Sequence, residues 1–364
     1  MRAPNEIDFW RGFALLTIFI NHIPGIFYER FTSRNFMLAD SAEMFVFLAG
    51  FSLRFVVGSS ERPVSVHDVT FRLLGRAVEI YAAQILITMF ALAILAAAGH
   101  FLNQPALLDW HNAGPVFQDP VETHVGLVLL THQLGYFNIL PLYVVVMCMA
   151  PMFAVLDRVS PYLALGVSFA IWMTVLVTGF NLPTWPVEGV WFFNPLGWQF
   201  VFVCGFVLAR KDGPGAIMRR NRRWLRVLVT PIVILGVVSA WNGFSPSPGD
   251  VPAPKLVFLF DKTYDSPARV FQFLCVALFL SGLWARLPAW FAPISEYFSR
   301  LGRNSLEVFC VCSVLSLCGQ IAAYMYGGGI ARDTLVLSIG IVIMGLSAWL
   351  TEWRARSRAS SSQD

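Results

Sequence analysis

The chain has 364 residues, of which 13% are charged and 57% apolar, with a mean hydropathy of +0.63. Soluble domains carry about 25% charged residues, so this composition excludes an ordinary soluble enzyme and reads as an integral membrane protein. The net charge of +4 follows from the one-sided placement of lysine and arginine in the loops, and gives no reason to expect a nucleic-acid partner.

A helical span takes about 20 predominantly apolar residues. Such runs occur at 9–28, 42–58, 77–99, 136–156, 162–179, 195–210, 225–241, 270–286, 305–326 and 333–353. They predict an all-α, polytopic membrane helix bundle of about ten transmembrane helices. Residues 1–353 form a single transmembrane domain, and 354–364 form a short basic, serine-rich cytoplasmic tail. The segment "HVGLVLLTHQLGYF" before the fourth run reads as a lumenal or re-entrant helix, and the run at 195–210 is short. With ten spans and both termini cytoplasmic, twenty of the 26 lysines and arginines fall on the inner side, among them Arg2, Arg54, Arg72, Arg76 and the run 210–226. Six fall outside: Arg30, Arg34, Lys255, Lys262, Arg269 and Arg332. This is the expected positive-inside bias, with the basic run beside anionic membrane lipid.

The first run, within "NEIDFWRGFALLTIFINHIPGIFYERF", is longer than a signal-peptide core and has no small-residue cleavage site, so it is read as retained. It also carries ionisable groups. At about 100° per residue, the eleven steps from Arg11 to His22 end only about 20° past three full turns, so both side chains share one face, roughly 16 Å apart along the axis. Asp8 lies three residues before Arg11 on the same face. An ionisable group near the bilayer centre costs about 2.5–3.5 kcal/mol on insertion scales and normally faces the bundle interior or a wet cavity. The stripe therefore predicts that His22 points inward. It either fixes packing by bonding a neighbouring helix or serves a reaction, and Asn21 beside it has the same options.

The second run begins "LADSAEMF". Asp40 and Glu43 have capping-box spacing, so Glu43 is either a cap or, lying at a depth similar to His22, a group that orients the imidazole and raises its basicity. The later external loops are rich in histidine (100–136), aromatics (180–195) and proline (242–269, read as an extended surface segment). They suit a saccharide rim as well as an interfacial aromatic belt. The histidine spacings match no compact ligand motif, so no metal is expected. The six cysteines fall inside spans as small core residues. Glu307 near Arg303 reads as a surface ion pair, and Gly50, Gly205 and Gly302 as close helix contacts.

The stretches "EIDFWRG", "LLTIFINHIPG" and "RNFMLADSAEMFVFLAGFS" resemble the OpgC family, linked to succinylation of osmoregulated periplasmic glucans and related to the acyltransferase-3 superfamily of membrane enzymes. Arg11 and His22 reproduce the superfamily's arginine, ten residues and histidine. "FVFLAGF" at 45–51 resembles its "FFVLSGF"-like stretch, with Ala49 in place of the serine. "FNILPLYVVVM" (137–147), "FNPLGWQFVFVCGF" (193–206) and "LGRNSLEVF" (301–309) extend the resemblance over nearly the whole chain.

The resemblance implies a multi-pass acyltransferase of the bacterial inner (cytoplasmic) membrane. It would move an acyl group, succinyl or acetyl, from cytoplasmic succinyl-CoA or acetyl-CoA to a hydroxyl of a periplasmic glucan or another polysaccharide, with no permanently bound cofactor. In that role Arg11, Arg72 and Arg76 hold the phosphates of the acyl-CoA. His22 acts as general base or takes the acyl group itself, Asp8 keeps Arg11 fixed and charged, and Asn194, Trp198 and Gln199 meet the sugar at an outer helix start. The competing class is a transporter in which His22 and the acids relay protons; the sequence contains no convincing internal repeat that would favour it.

Overall fold

The computed structural model describes residues 4–59 and 62–361; Arg2, counted above among the inner cations, lies outside them. A helix occupies every expected span: α1 (Glu6–Asn21), α2 (Ser41–Val57), α3 (Val66–Phe101), α4 (Ile139–Val159), α5 (Pro161–Thr178), α6 (Pro195–Leu208), α7 (Arg222–Trp241), α8 (Pro267–Leu280), α10 (Ser305–Tyr326) and α11 (Ile330–Ser361). Between α8 and α10 an amphipathic helix that was not foreseen, α9 (Ala292–Arg303), packs along α1. By length and composition α3, α4, α5, α7, α10 and α11 are able to cross a membrane, whereas α6 and α8 are apolar but only 14 residues long. A two-residue antiparallel ladder, Gly58–Ser59 with Arg62–Pro63, turns the chain from α2 into α3.

Helix starts are set by side chains that satisfy the first free N–H groups, a need that is acute where water is absent. The Asn5 side chain accepts from the backbone of Ile7 and Asp8 at 3.1 and 3.0 Å. Asp40 and Glu43 form the expected capping box. Ser160 and Asn194 cap α5 and α6, each followed by a proline whose missing N–H is no loss at that position. At the other ends, Gly58, Gly179 and Gly327 take positive φ values of 85°, 68° and 71° and let the chain leave α2, α5 and α10.

Two glycine-lined crossings bring the central helices together. A Cβ on Gly50 would lie 1.9 Å from the carbonyl oxygen of Phe202, and one on Gly205 would lie 2.1 Å from that of Phe47, so α2 and α6 touch backbone to backbone in both directions. α1 and α9 repeat the device, with Gly12 against Phe298 and Gly302 against Asp8, both at 1.9 Å. The expectation for Gly50, Gly205 and Gly302 thus agrees with the packing. Near the ends of α2, α4 and α6, buried Asp157 accepts from Arg54 at 2.7 Å and from Arg210 at 2.8 Å, while Arg54 lies 4.0 Å over the ring of Phe206. All six cysteines sit in helices and are unpaired. Apolar side chains such as Phe71, Val78, Phe90, Leu228, Leu235 and Leu346 point outward, as a lipid-facing belt requires.

Several expectations change. The segment before α4 contains only a short helix, Pro120–Val128, followed by irregular chain. The proline-rich loop is not wholly a surface segment, because it turns inward at its end and buries Asp265 and Ser266 completely. Arg303 pairs with Glu296 and Glu352 at 3.0 and 2.9 Å, while Glu307 is exposed one turn away. α11 continues through Ser361, past the end of the expected run at 353, which leaves the expected basic tail at 354–364 helical over its described part.

Substituting Gly50→Val should lower the thermal midpoint in detergent micelles by an amount corresponding to at least about 2 kcal/mol, because α2 and α6 must separate. Gly166→Ala in α5, where an added Cβ meets nothing within 4 Å, should leave it unchanged or raise it slightly. Asp157→Ala should cost about 3–5 kcal/mol by taking from Arg54 its buried carboxylate partner, while Arg210 keeps Asp212 at 2.7 Å; a thermal midpoint equal to that of the unaltered protein would contradict this.

Candidate active site

The last turn of α1 opens into a cavity of about 760 Å³ at one end of the bundle. Its lining includes Asn21, His22, Asp40, Tyr136, Lys262 and Arg269. His22 is the C-cap of α1, still in helical geometry, so the face shared with Arg11 persists to the end of the helix. Its ring lies beside Tyr136, 4.9 Å between centroids, and His111 meets the same tyrosine at 5.0 Å. The carbonyl of His22 accepts from the side-chain amide of Gln320 on α10, and the amide oxygen of Gln320 takes a hydrogen bond from His111 Nε2 at 2.6 Å. His22 Nδ1 is buried and without a hydrogen-bond partner among the described residues. The imidazole is thus held by its backbone and by ring contacts, and the residue lines the cavity. Burial pushes the loop residue His111 below the usual histidine range, so it stays neutral and donates to Gln320.

Beside His22, the start of α2 carries a compact charge cluster. Glu43 Oε2 accepts from the backbone N–H of Asp40 at 2.8 Å, while Glu43 Oε1 takes Arg269 Nε at 2.8 Å and also its Nη2. Arg269 Nη1 donates to the Leu38 carbonyl at 2.8 Å, and Lys262 pairs with Asp40. Glu43 therefore turns to Arg269 and its own cap, not to His22. The physical reason is that a fully buried carboxylate keeps its charge only where a cation and hydrogen-bond donors surround it, and α8 supplies them.

The opposite end of α1 faces a second cavity of about 590 Å³, lined by Arg11, Ser52, Arg72, Arg76, Tyr143 and Ser305 among others. Arg11 donates to the carbonyls of Leu48 at 3.2 Å and Gly302 at 3.4 Å and to the Ser52 hydroxyl. Those neutral partners fix the guanidinium at the cavity wall. Arg72 and Arg76, from the first turns of α3, bring two further cations to the same space, with Glu79 2.7 Å from Arg76. Asp8 is buried at the start of α1 and accepts from Asn5 at 2.6 Å.

The two cavities have one lining residue in common, Phe309 of α10. Phe45 stacks on Phe309 at 6.0 Å and meets the edge of Tyr143 at 5.6 Å. An aromatic partition thus separates the space that holds Arg11 from the space that holds His22. The arrangement suits a reaction whose two reactants arrive from opposite ends and meet across a thin apolar layer.

The residues expected from sequence fall into three groups. His22 and Asn21 line the first cavity, and Arg11, Arg72 and Arg76 line the second; Asn21 also accepts from Thr32 at 2.6 Å. Asp8 and Glu43 are buried at the two helix starts. Asn194, Trp198 and Gln199 are fully buried and outside the lining of either cavity. Asn194 caps α6 and donates to Phe180, Trp198 donates to the Lys262 carbonyl at 2.9 Å, and Gln199 bonds Ser168 in both directions. Those contacts place Asn194 and Trp198 at the base of the 180–195 and 261–266 loops and tie Gln199 to α5. Sequence reasoning missed Tyr136, Gln320, Lys262 and Arg269. A glutamine inside the otherwise apolar "SLCGQIAAY" was the one local signal for any of them.

A sequence model of the OpgC protein family matches residues 3–356, nearly the whole chain. No curated protein and no solved structure matches it. The chain belongs to the OpgC family.

Proposed function

We propose that the chain is an O-acyltransferase of the bacterial inner membrane that carries an acyl group, succinyl by preference, from cytoplasmic acyl-CoA to a hydroxyl of a periplasmic glucan. Membership of the OpgC family supports a glucan-modifying acyltransferase. The observation that carries the reading is the pair of cavities at opposite ends of α1, with Arg11 in one, His22 in the other and Phe309 between them. In this topology the ten helices other than α9 cross the bilayer, both termini are cytoplasmic, and the Arg11 cavity opens inward.

The phosphates of the donor bind at Arg72 and Arg76, two cations that need not be desolvated to do so. The pantetheine arm is long and thin enough to follow the cavity past Arg11 to the partition while the nucleotide stays in water. On the other side, the glucan hydroxyl approaches the imidazole of His22 where that residue lines the outer cavity. The acceptor oxygen forms a bond to the acyl carbon as His22 takes its proton. The C–S bond then breaks with its electron pair leaving on sulfur, which takes up the proton to give free thiol and glucan ester. In the route through His22 itself, a ring nitrogen bonds the acyl carbon as the C–S bond breaks and the thiolate leaves; the glucan oxygen then bonds the acyl carbon and displaces the imidazole, and the hydroxyl proton ends on the thiolate. Asn21 and Tyr136 stand at the place where a sugar ring would rest, and the Lys262, Asp40, Arg269 and Glu43 cluster forms a polar wall beside it.

His22→Ala should lower transfer from succinyl-CoA to glucan by about 10²–10⁴-fold with normal folding. Wild-type transfer in that variant, or flux of an intact solute without transfer, would refute the proposal. The double substitution Arg72→Ala with Arg76→Ala should raise KM for the donor by about tenfold and leave kcat within a few-fold, as expected for loss of uniform binding. Steady-state kinetics with varied donor separates these outcomes.

A further inference from the structure

The Tyr143 hydroxyl is buried and has no hydrogen-bond partner among the described residues, although the ring is packed and only 5% of the residue is exposed. Buried hydroxyls are nearly always paired, and each exception calls for a reason. Phenylalanine would fill the same volume without an orphaned donor, so packing alone does not explain the tyrosine. Its position supplies an explanation. Asn138 and Ile139, at the start of α4, border the cavity of His22, whereas Leu140 and Tyr143 border the cavity of Arg11. Tyr143 is thus about 6 Å along the helix from the outer space, and its ring meets Phe45, which stacks on the shared Phe309.

We propose that the Tyr143 hydroxyl is a further catalytic group, donating a hydrogen bond to the carbonyl oxygen of the thioester where the donor reaches the aromatic partition. The assignment rests on the acyltransferase reading given above. As the acceptor oxygen bonds to the acyl carbon, the π electrons of the carbonyl move onto its oxygen, and a hydrogen-bond donor to that oxygen gains strength as the charge grows. When the C–S bond breaks, the electrons return to re-form the carbonyl, and Tyr143 keeps its proton throughout. Arg11, held by Leu48, Gly302 and Ser52, lines the same cavity, where it guides the arm.

The test uses the purified full-length protein with succinyl-CoA and periplasmic glucan, comparing Tyr143→Phe, His22→Ala and wild type by kinetics and thermal unfolding. Tyr143→Phe should lower kcat by about 100-fold, keep KM for succinyl-CoA within threefold, and leave the thermal midpoint unchanged or higher because an orphaned buried hydroxyl is gone. A purely structural role would move stability and not this split. Unchanged kcat in Tyr143→Phe beside an inactive His22→Ala overturns the Tyr143 assignment alone, as does a fall in kcat matched by a fall in thermal midpoint. An inactive wild type, or a fully active His22→Ala, overturns the acyltransferase reading and this assignment with it.

Discussion

Ionisable side chains within an apolar bundle must face protein or water, because lipid offers them neither a counter-charge nor a hydrogen bond. α1 meets this constraint by keeping its polar groups on one face and giving that face two cavities, one around each end. Arg11 is satisfied by two carbonyls and a hydroxyl, and His22 is held by its backbone and by Tyr136. The remainder of the architecture can be understood as what is needed to keep those cavities apart while their ends stay close.

Close helix approach is the first requirement. The α1–α9 and α2–α6 crossings depend on Gly12, Gly302, Gly50 and Gly205, where carbonyl oxygens occupy the space a Cβ would take. Without those contacts, α2 would stand farther from α6, and α1 farther from α9. Charge anchoring is the second. Glu43 with Arg269 ties the start of α2 to α8, and Asp157 ties the ends of α2, α4 and α6. Such pairs add little net stability over apolar packing, yet removal of one member is costly because it strands the other. Their value here lies in fixing register between helices whose apolar surfaces would tolerate sliding.

Much of this was legible in the sequence, and the reasons are specific. The stripe from Arg11 to His22 follows from helical period alone, and the capping box at Asp40 and Glu43 from local spacing. The small residues at the crossings were also readable as contacts. Partners distant in sequence were not: Glu43 meets Arg269 and His22 meets Gln320 across more than 200 residues, and no local pattern encodes which helices will be neighbours. Asn194, Trp198 and Gln199 illustrate the opposite difficulty. A polar residue at a helix start can face a ligand or bond its structural neighbours; Asn194 and Trp198 bond the adjoining loops at Phe180 and Lys262, and Gln199 bonds Ser168 of α5. The amphipathic α9 was overlooked because its alternating charge masks an apolar face that only α1 reveals.

In the proposed account the bilayer is crossed by an acyl group and by neither whole reactant. The most direct measurement is a sided reconstitution: oriented proteoliposomes with labelled succinyl-CoA on the face of Arg72 and Arg76 and glucan confined to the face of His22. The account predicts labelled glucan ester on the His22 side, with free coenzyme A remaining on the other. Ester formation only when both reactants share one compartment would contradict it.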